Sequence, residues 1–110
     1  WLLDPVYRGE YPPAESREWA ADLPAIGAND LVTIAQPLDF CAANVYHGYR
    51  VRAGEAGAAV TVPWPPGHPR TAFDTFTWAP EALHWGPRFL HERYRLPVVV
   101  TENGISVTDW

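Results

Sequence analysis

The sequence predicts an α/β fold built on a parallel sheet, and three observations carry that expectation. Two apolar runs, "LDFCAANVY" at 38–46 and "PVVV" at 97–100, read as strands. Between them lies a long excursion that ends in the clearest helix of the chain, "PEALHWGPRFLHERYRL" at 80–96. Strand, excursion, helix, strand is the order of a crossover unit, which sets two neighbouring strands parallel with their C-terminal ends on one face of the sheet. Finally, Val98 to Val100 show no polar alternation, the pattern of a strand covered on both faces, as in α/β barrels.

Each element has its own signals. Residues 1–14, "WLLDPVYRGEYPPA", mix aromatics with Pro and Gly and read as a helix end followed by a packed irregular loop. "ESREWAADL" at 15–23 is a short helix candidate with Ser16 as its cap, closed by Pro24 and Gly27. "NDLVTIAQ" at 29–36 is a second one, with Asn29 in the cap position, Leu31, Ile34 and Ala35 on one face, and Pro37 as its stop. Asp39 and Asn44 interrupt an otherwise apolar strand at 38–46. The glycine-spaced stretch 48–64 suggests a β-hairpin or flap, and "PWPPGHPRT" at 63–71 an extended loop. In the 80–96 helix Pro80 suits the first position and Glu81 the positive end of the dipole. Ala82, Trp85, Phe89 and Leu90 form its apolar face, and Pro87 predicts a kink near Leu83 to Gly86.

Composition narrows the partners. The chain is 47% hydrophobic, too apolar for a disordered segment. Net charge is −5 and no basic stripe exists, which argues against nucleic acid. No apolar run nears the roughly 18 residues that span a bilayer, so no membrane partner is expected. No charged segment followed by an apolar one opens the chain in the manner of a signal peptide. Cys41 stands alone and cannot form an internal disulfide, which fits a reducing, cytoplasmic setting. His47, His68, His84 and His91 are dispersed, so neither a metal nor another cofactor is expected. With no Met, a start at Trp1 and a stop at Trp110, the sequence reads as a piece cut from a longer chain.

Chemistry concentrates at the two strand ends. "VVVTENG" passes from buried valines to Thr101, Glu102, Asn103 and Gly104, and in parallel α/β folds the active site sits at that end of the sheet. From the residues alone, Glu102 is either a reactive carboxylate or a group that fixes a loop, and Asn103-Gly104 is compatible with a plain turn. The earlier strand ends in "ANVYHG", which puts Asn44, Tyr46 and His47 at its edge. A tyrosine hydroxyl beside a carboxylate can hold it as the anion and orient one oxygen. Equally, Tyr46 can be a packing aromatic and Asn44 a strand-end hydrogen-bonder. Trp64 either rims a cleft or stiffens a surface loop. Trp1, Trp19 and Trp85 read as packing residues, His84 and His91 as surface or helix-packing groups, Cys41 as an inert buried thiol.

These residues resemble glycoside hydrolase family 1, the β-glucosidase family. "VVVTENG" is similar to that family's (I/V)TENG signature, whose Glu is the nucleophile at the end of the seventh strand of a (β/α)8 TIM barrel. The match carries that role to Glu102. "PLDFCAANVYHGYRVRAG" resembles the sixth strand, with Asn44 at the family's Asn and Tyr46 at the Tyr that hydrogen-bonds the nucleophile. "WLLDPVYRGEYP" and "PEALHWGPRFLHERYRLP" resemble the segment before that strand and the helix after it, so the likeness runs collinearly over nearly the whole chain. It implies a partial barrel around strands six and seven, all 110 residues belonging to one catalytic domain, acting on β-glucosides or related oligosaccharides.

Four departures stand out. Ala42 replaces a usual Gly, and Ala79 sits where Ser or Thr would cap the helix better. Phe76 falls at the family's aglycone-side Trp while Trp78 lies two residues on, leaving the substrate-binding ring open between them. Most important, retaining glycosidases need a second carboxylate about 5–5.5 Å away, and the family's NEP motif that supplies it is missing from these residues. Two readings follow: part of a retaining β-glycosidase with Glu102 as nucleophile, or a non-catalytic carbohydrate-binding or scaffold module.

Overall fold

The computed structural model describes residues 2–13, 25–72 and 76–107. The chain divides into two compact units, residues 1–40 and 41–110. The helix expected at 15–23, with Ser16 and Trp19, lies outside the described residues, as does Trp1.

The first unit contains two one-and-a-half-turn helices, α1 (Asp4–Arg8) and α2 (Asp30–Ile34). Pro5 opens α1, where its missing N–H would be unpaired anyway. Gly9 closes it in the left-handed region at φ 65°, donating its N–H to the Pro5 carbonyl. A side chain at Gly9 would also meet the Ala35 Cβ at 3.2 Å, so the end of α1 lies close to the end of α2. Asn29 does take the cap position of α2, but its side chain makes no capping bond. Asp30 instead reaches back to the turn before the helix, its Oδ2 accepting the Gly27 N–H at 2.7 Å. Of the expected apolar face, Leu31 and Ala35 are half-buried while Ile34 is exposed.

The second unit holds the sheet that matters. β1 (Cys41–Asn44) and β4 (Val98–Glu102) pair in parallel, joined by a crossover that contains the hairpin β2 (Val51–Ala53) and β3 (Ala59–Thr61) and the helix α3 (Ala82–Tyr94). The parallel pairing and the hairpin are as the sequence predicts. β1 is shorter than its apolar run suggests. Leu38 and Phe40 are exposed, and in β1 and β4 only Cys41, at 1% exposure, is buried. The valine run is likewise not covered on both faces, with Val99 43% and Val100 38% exposed. Among the described residues of this unit, two strands and one helix leave that apolar surface exposed.

In the hairpin Val51 faces Thr61 and Ala53 faces Ala59, around a 3-10 turn at Glu55–Gly57. Gly54 is required there: a Cβ would come within 2.6 Å of Val60 Cγ2 and 3.1 Å of the Ala58 carbonyl.

α3 starts two residues later than expected. Ala79 accepts the Ala82 N–H at 3.0 Å and Pro80 accepts that of Leu83 at 3.1 Å, so 79–82 form a tight lead-in turn with Glu81 as the cap. The helix runs on through Pro87. It ends with Arg95 at φ 60°, its N–H on the His91 carbonyl, while His91 Nδ1 bonds the Leu96 carbonyl at 2.8 Å.

Its buried face is rotated from the expected one. The half-buried residues include Ala82, Gly86, Leu90 and Tyr94, one row at i, i+4. Trp85 and Phe89 point outward at 60% and 61% exposure, so Trp85 is not a packing residue here. Size explains the rotation. A Cβ on Gly48 would lie 3.5 Å from that of Ala82, and one on Gly86 would lie 3.9 Å from Val45 Cγ1. Small residues let the helix approach the strand exit, and indole or phenyl rings in that row would hold it off.

Candidate active site

The site is the C-terminal end of the β1–β4 pair. Register runs Cys41 with Val98, Ala42 with Val99 and Ala43 with Val100, then shifts so that Asn44 faces Glu102. Thr101 is the extra residue, a bulge in a parallel ladder. Bulges re-aim side chains, and this one sets Glu102 rather than Thr101 opposite Asn44.

Beyond the bulge three successive residues of one strand exit are tied to three of the other. Thr101 Oγ1 donates to Asn44 Oδ1 at 2.7 Å. Asn103 Nδ2 donates to the Val45 carbonyl at 2.7 Å, while the Val45 N–H reaches the Glu102 carbonyl at 2.9 Å. The Tyr46 hydroxyl donates to Glu102 Oε2. That bond raises the Tyr46 pKa above its ordinary 10.0, with loss of solvation and the Glu102 negative charge pushing the same way. Tyr46 is therefore a neutral donor at physiological pH, and Glu102 is met by an O–H aimed at one oxygen.

Around this pair lie aromatic rings. Phe76 stacks on Tyr46 with centroids 5.3 Å apart and planes 8° from parallel, and on His47 at 4.8 Å and 23°. Tyr49 meets His47 edge-on at 5.0 Å. An open hollow of about 470 Å³ beside the pair is lined by Tyr46, Phe76, Gly104, Ile105 and Ser106. Trp78, 45% exposed, lines a smaller cavity of about 140 Å³ with Tyr46, Asn103 and the start of α3. Trp64 lies instead against His68, rings 4.1 Å apart, with the Arg50 guanidinium 5.6 Å from its ring. Trp64 also lines an open hollow of about 360 Å³ with Tyr49, Arg50 and Trp85.

The structure thus brings Asn44, Tyr46, Phe76, Trp78 and Glu102 to one end of the sheet. Sequence reasoning missed the supporting parts. Asn103 was compatible with a plain turn and Thr101 was given no role, although both are polar side chains at a strand exit facing a second polar exit. His47 was noted only for its position. Among the described residues no cluster of His, Cys, Asp and Glu is placed to hold a metal ion, and no helix is long and apolar enough to cross a membrane.

Comparison with known proteins agrees with this architecture. The profile of glycosyl hydrolase family 1 matches residues 1–110, and the chain belongs to that family. It is 41% identical to a beta-glucosidase of Agrobacterium sp., over 94% of this chain and 23% of that protein. With a 1,4-beta-D-glucan glucohydrolase of Thermotoga neapolitana it shares 32% identity over 98% of its own length and 25% of the relative's. Among solved structures, the family 1 β-glucosidase of Thermotoga maritima superposes with a TM-score of 0.74 at 32% identity, covering 98% of this chain and 24% of that one. Virulence factor SghA from Agrobacterium tumefaciens gives 0.75 at 33%, covering 96% and 24%. SghA has also been solved with its substrate analog salicin. The chain therefore spans about a quarter of the length of these relatives.

Proposed function

We propose that these residues form the nucleophile side of a retaining β-glycosidase site, as a segment of a larger (β/α)8 barrel around its sixth and seventh strands. The observation that carries this is the Tyr46–Glu102 hydrogen bond at the C-terminal ends of two parallel strands in a family 1 chain. Tyr46 occupies Oε2, which leaves Oε1 to attack the anomeric carbon of a β-glucoside. The bond from that carbon to the leaving oxygen breaks as the new ester forms. The leaving oxygen takes its proton from a second carboxyl group, which then draws a proton from water so that hydroxide character reaches the same carbon and frees Glu102. That second carboxyl comes from outside these 110 residues. Two carboxylates suffice chemically, and the route calls for no metal or cofactor. Asn44, held by Thr101, forms the site floor. Trp78 offers its exposed ring to the aglycone.

A chimera tests this. The matching quarter of the Agrobacterium β-glucosidase is replaced by this chain and assayed on an activated aryl β-glucoside. Hydrolysis is expected, and Glu102→Ala should lower it on the order of 10⁴-fold or more, since removing a covalent nucleophile leaves only binding and acid help. Added azide should restore turnover with inverted stereochemistry, because one displacement replaces two. A folded, active chimera that keeps its rate after Glu102→Ala would refute the assignment. The isolated chain should show negligible turnover, and activity there that vanished in Glu102→Gln would show a working site without a barrel.

A further inference from the structure

We propose that Phe76 is a positioning residue, one that holds the Tyr46 ring in the orientation that delivers its hydroxyl to Glu102. The inference rests on the Tyr46–Glu102 reading above and adds a residue to it.

The argument starts from leverage. The Tyr46 hydroxyl sits at the far end of a ring that swings on two dihedrals, so a small rotation at the Cβ carries the oxygen out of line. A productive constellation tolerates only about 0.5 Å of such drift. Something must therefore fix the plane of the ring. Its neighbour with a matching plane is Phe76, 8° from parallel at 5.3 Å. Offset stacking is a preferred geometry for aromatic pairs, and it restrains rotation of either ring.

Phe76 is itself anchored. Its N–H donates to Thr71 Oγ1 at 3.2 Å, and its carbonyl accepts the Thr71 N–H at 3.0 Å. Thr71 is buried at 6% exposure, and the Ala72 N–H bonds the Ser106 carbonyl at 2.9 Å, which ties this loop to the chain leaving β4. The same Phe76 ring stacks on His47, the residue after Tyr46. A loop fastened to the exit of one strand thus places a flat ring against the exit of the other. A residue serving as a substrate platform has no need of two protein rings stacked upon it. The raised Tyr46 pKa is consistent with a hydroxyl held on the carboxylate rather than one that visits it.

The readout is the titration of Tyr46 in the purified full-length chimera without any sugar, followed by ring-carbon NMR of labelled tyrosine and assigned with Tyr46→Phe. In the parent, Tyr46 should titrate above the ordinary phenol range. Glu102→Gln should bring it down, reporting the pair itself. Phe76→Leu fills similar space without a flat face and should also bring Tyr46 down, whereas Phe76→Trp, which restores a face, should keep it up. Far-UV circular dichroism checks that each variant keeps its helix. Should Phe76→Ala fail to fold, Phe76→Leu and Phe76→Trp still decide. A Tyr46 titration in Phe76→Leu equal to the parent's, with Glu102→Gln lowered, overturns the proposal and leaves the pair standing. A Tyr46 titration unmoved by Glu102→Gln overturns both. A mere substrate platform would shift none of these titrations, because no substrate is present.

Discussion

The two halves of β4 are built on different terms. Val98 to Val100 are apolar and paired to β1 through the backbone, yet Val99 and Val100 remain 43% and 38% exposed. Thr101 to Asn103 are polar and solvent-facing, yet each side chain has a partner on the β1 exit. The hydrogen bonds of the polar end are made within a few residues, whereas the cover of the apolar end is not. Hydrogen bonds saturate locally between two groups. Burial of an apolar strand needs layers on both sides, and those come from elsewhere in a fold. A segment can therefore carry a paired strand exit on an unfinished core.

The largest expected effect tests the core half. The isolated chain should be marginally stable and self-associating. Each strand of the pair leaves an open edge, and open edges template pairing with other chains. Domains have only about 5–15 kcal/mol of net stability, and uncovered valines, Trp85 and Phe89 remove much of what would supply it. Sedimentation and urea unfolding read this. A monodisperse monomer with one sharp transition would erase the contrast between the two halves and favour a self-sufficient, non-catalytic module.

What was legible in the sequence follows the same division. Strand order, parallel pairing and the hairpin could be read, because patterns of apolar runs and glycines record local preference directly. The buried face of α3 could be read only in part: Ala82 and Leu90 are on the expected face and are half-buried, but Gly86 was missed, because periodicity weights large apolar residues and Gly86 works by being small. Trp85 and Phe89 satisfy the period and face outward. At the site, Glu102 and Tyr46 were identified through resemblance, and their separation by 56 positions carries no signal of contact by itself. The bulge at Thr101 was invisible, since a register shift is settled between strands and not within either one. Hence Asn44–Thr101 and Asn103–Val45 were unforeseen.

The polar half predicts smaller, sharper effects, measured in the active chimera. Tyr46→Phe removes one hydrogen bond to a charged carboxylate, typically about 1.5–3 kcal/mol, or on the order of 10–100-fold in rate if it is felt in the transition state. Secondary structure should be unchanged. A loss under threefold would mean that Glu102 is held by other groups. Asn103→Ala removes a neutral bond to the Val45 carbonyl, so about 0.5–1.5 kcal/mol is expected in stability. Equal losses for the two variants would break the idea that the charged bond dominates this strand exit.

The smallest effects are expected in pH dependence, and they carry opposite signs in the two regions. On the exposed face of α3, Arg88 Nε donates to Glu92 Oε1 at 2.7 Å. That bond and the Arg88 charge lower the Glu92 pKa below its ordinary 4.5. The unfolded chain then binds a proton more readily than the folded one, so the pair's contribution is present above pH 4.5 and fades as pH falls through the folded value. Tyr46 runs the other way. Its pKa is raised, the folded chain keeps the phenol proton longer, and its contribution is full below pH 10.0 and lost as pH climbs through the folded value. Both groups are open to water, so each signal will be slight and weakened by salt. Thermal melts of parent and variant across pH separate them from the other carboxylates and tyrosines. The parent's advantage over Glu92→Gln should shrink on the acid side, and its advantage over Tyr46→Phe should shrink as pH climbs through the alkaline range. A Tyr46→Phe difference that stayed constant through the alkaline range would mean that the phenol is not held on Glu102 in solution, and the paired strand exits would lose their central contact.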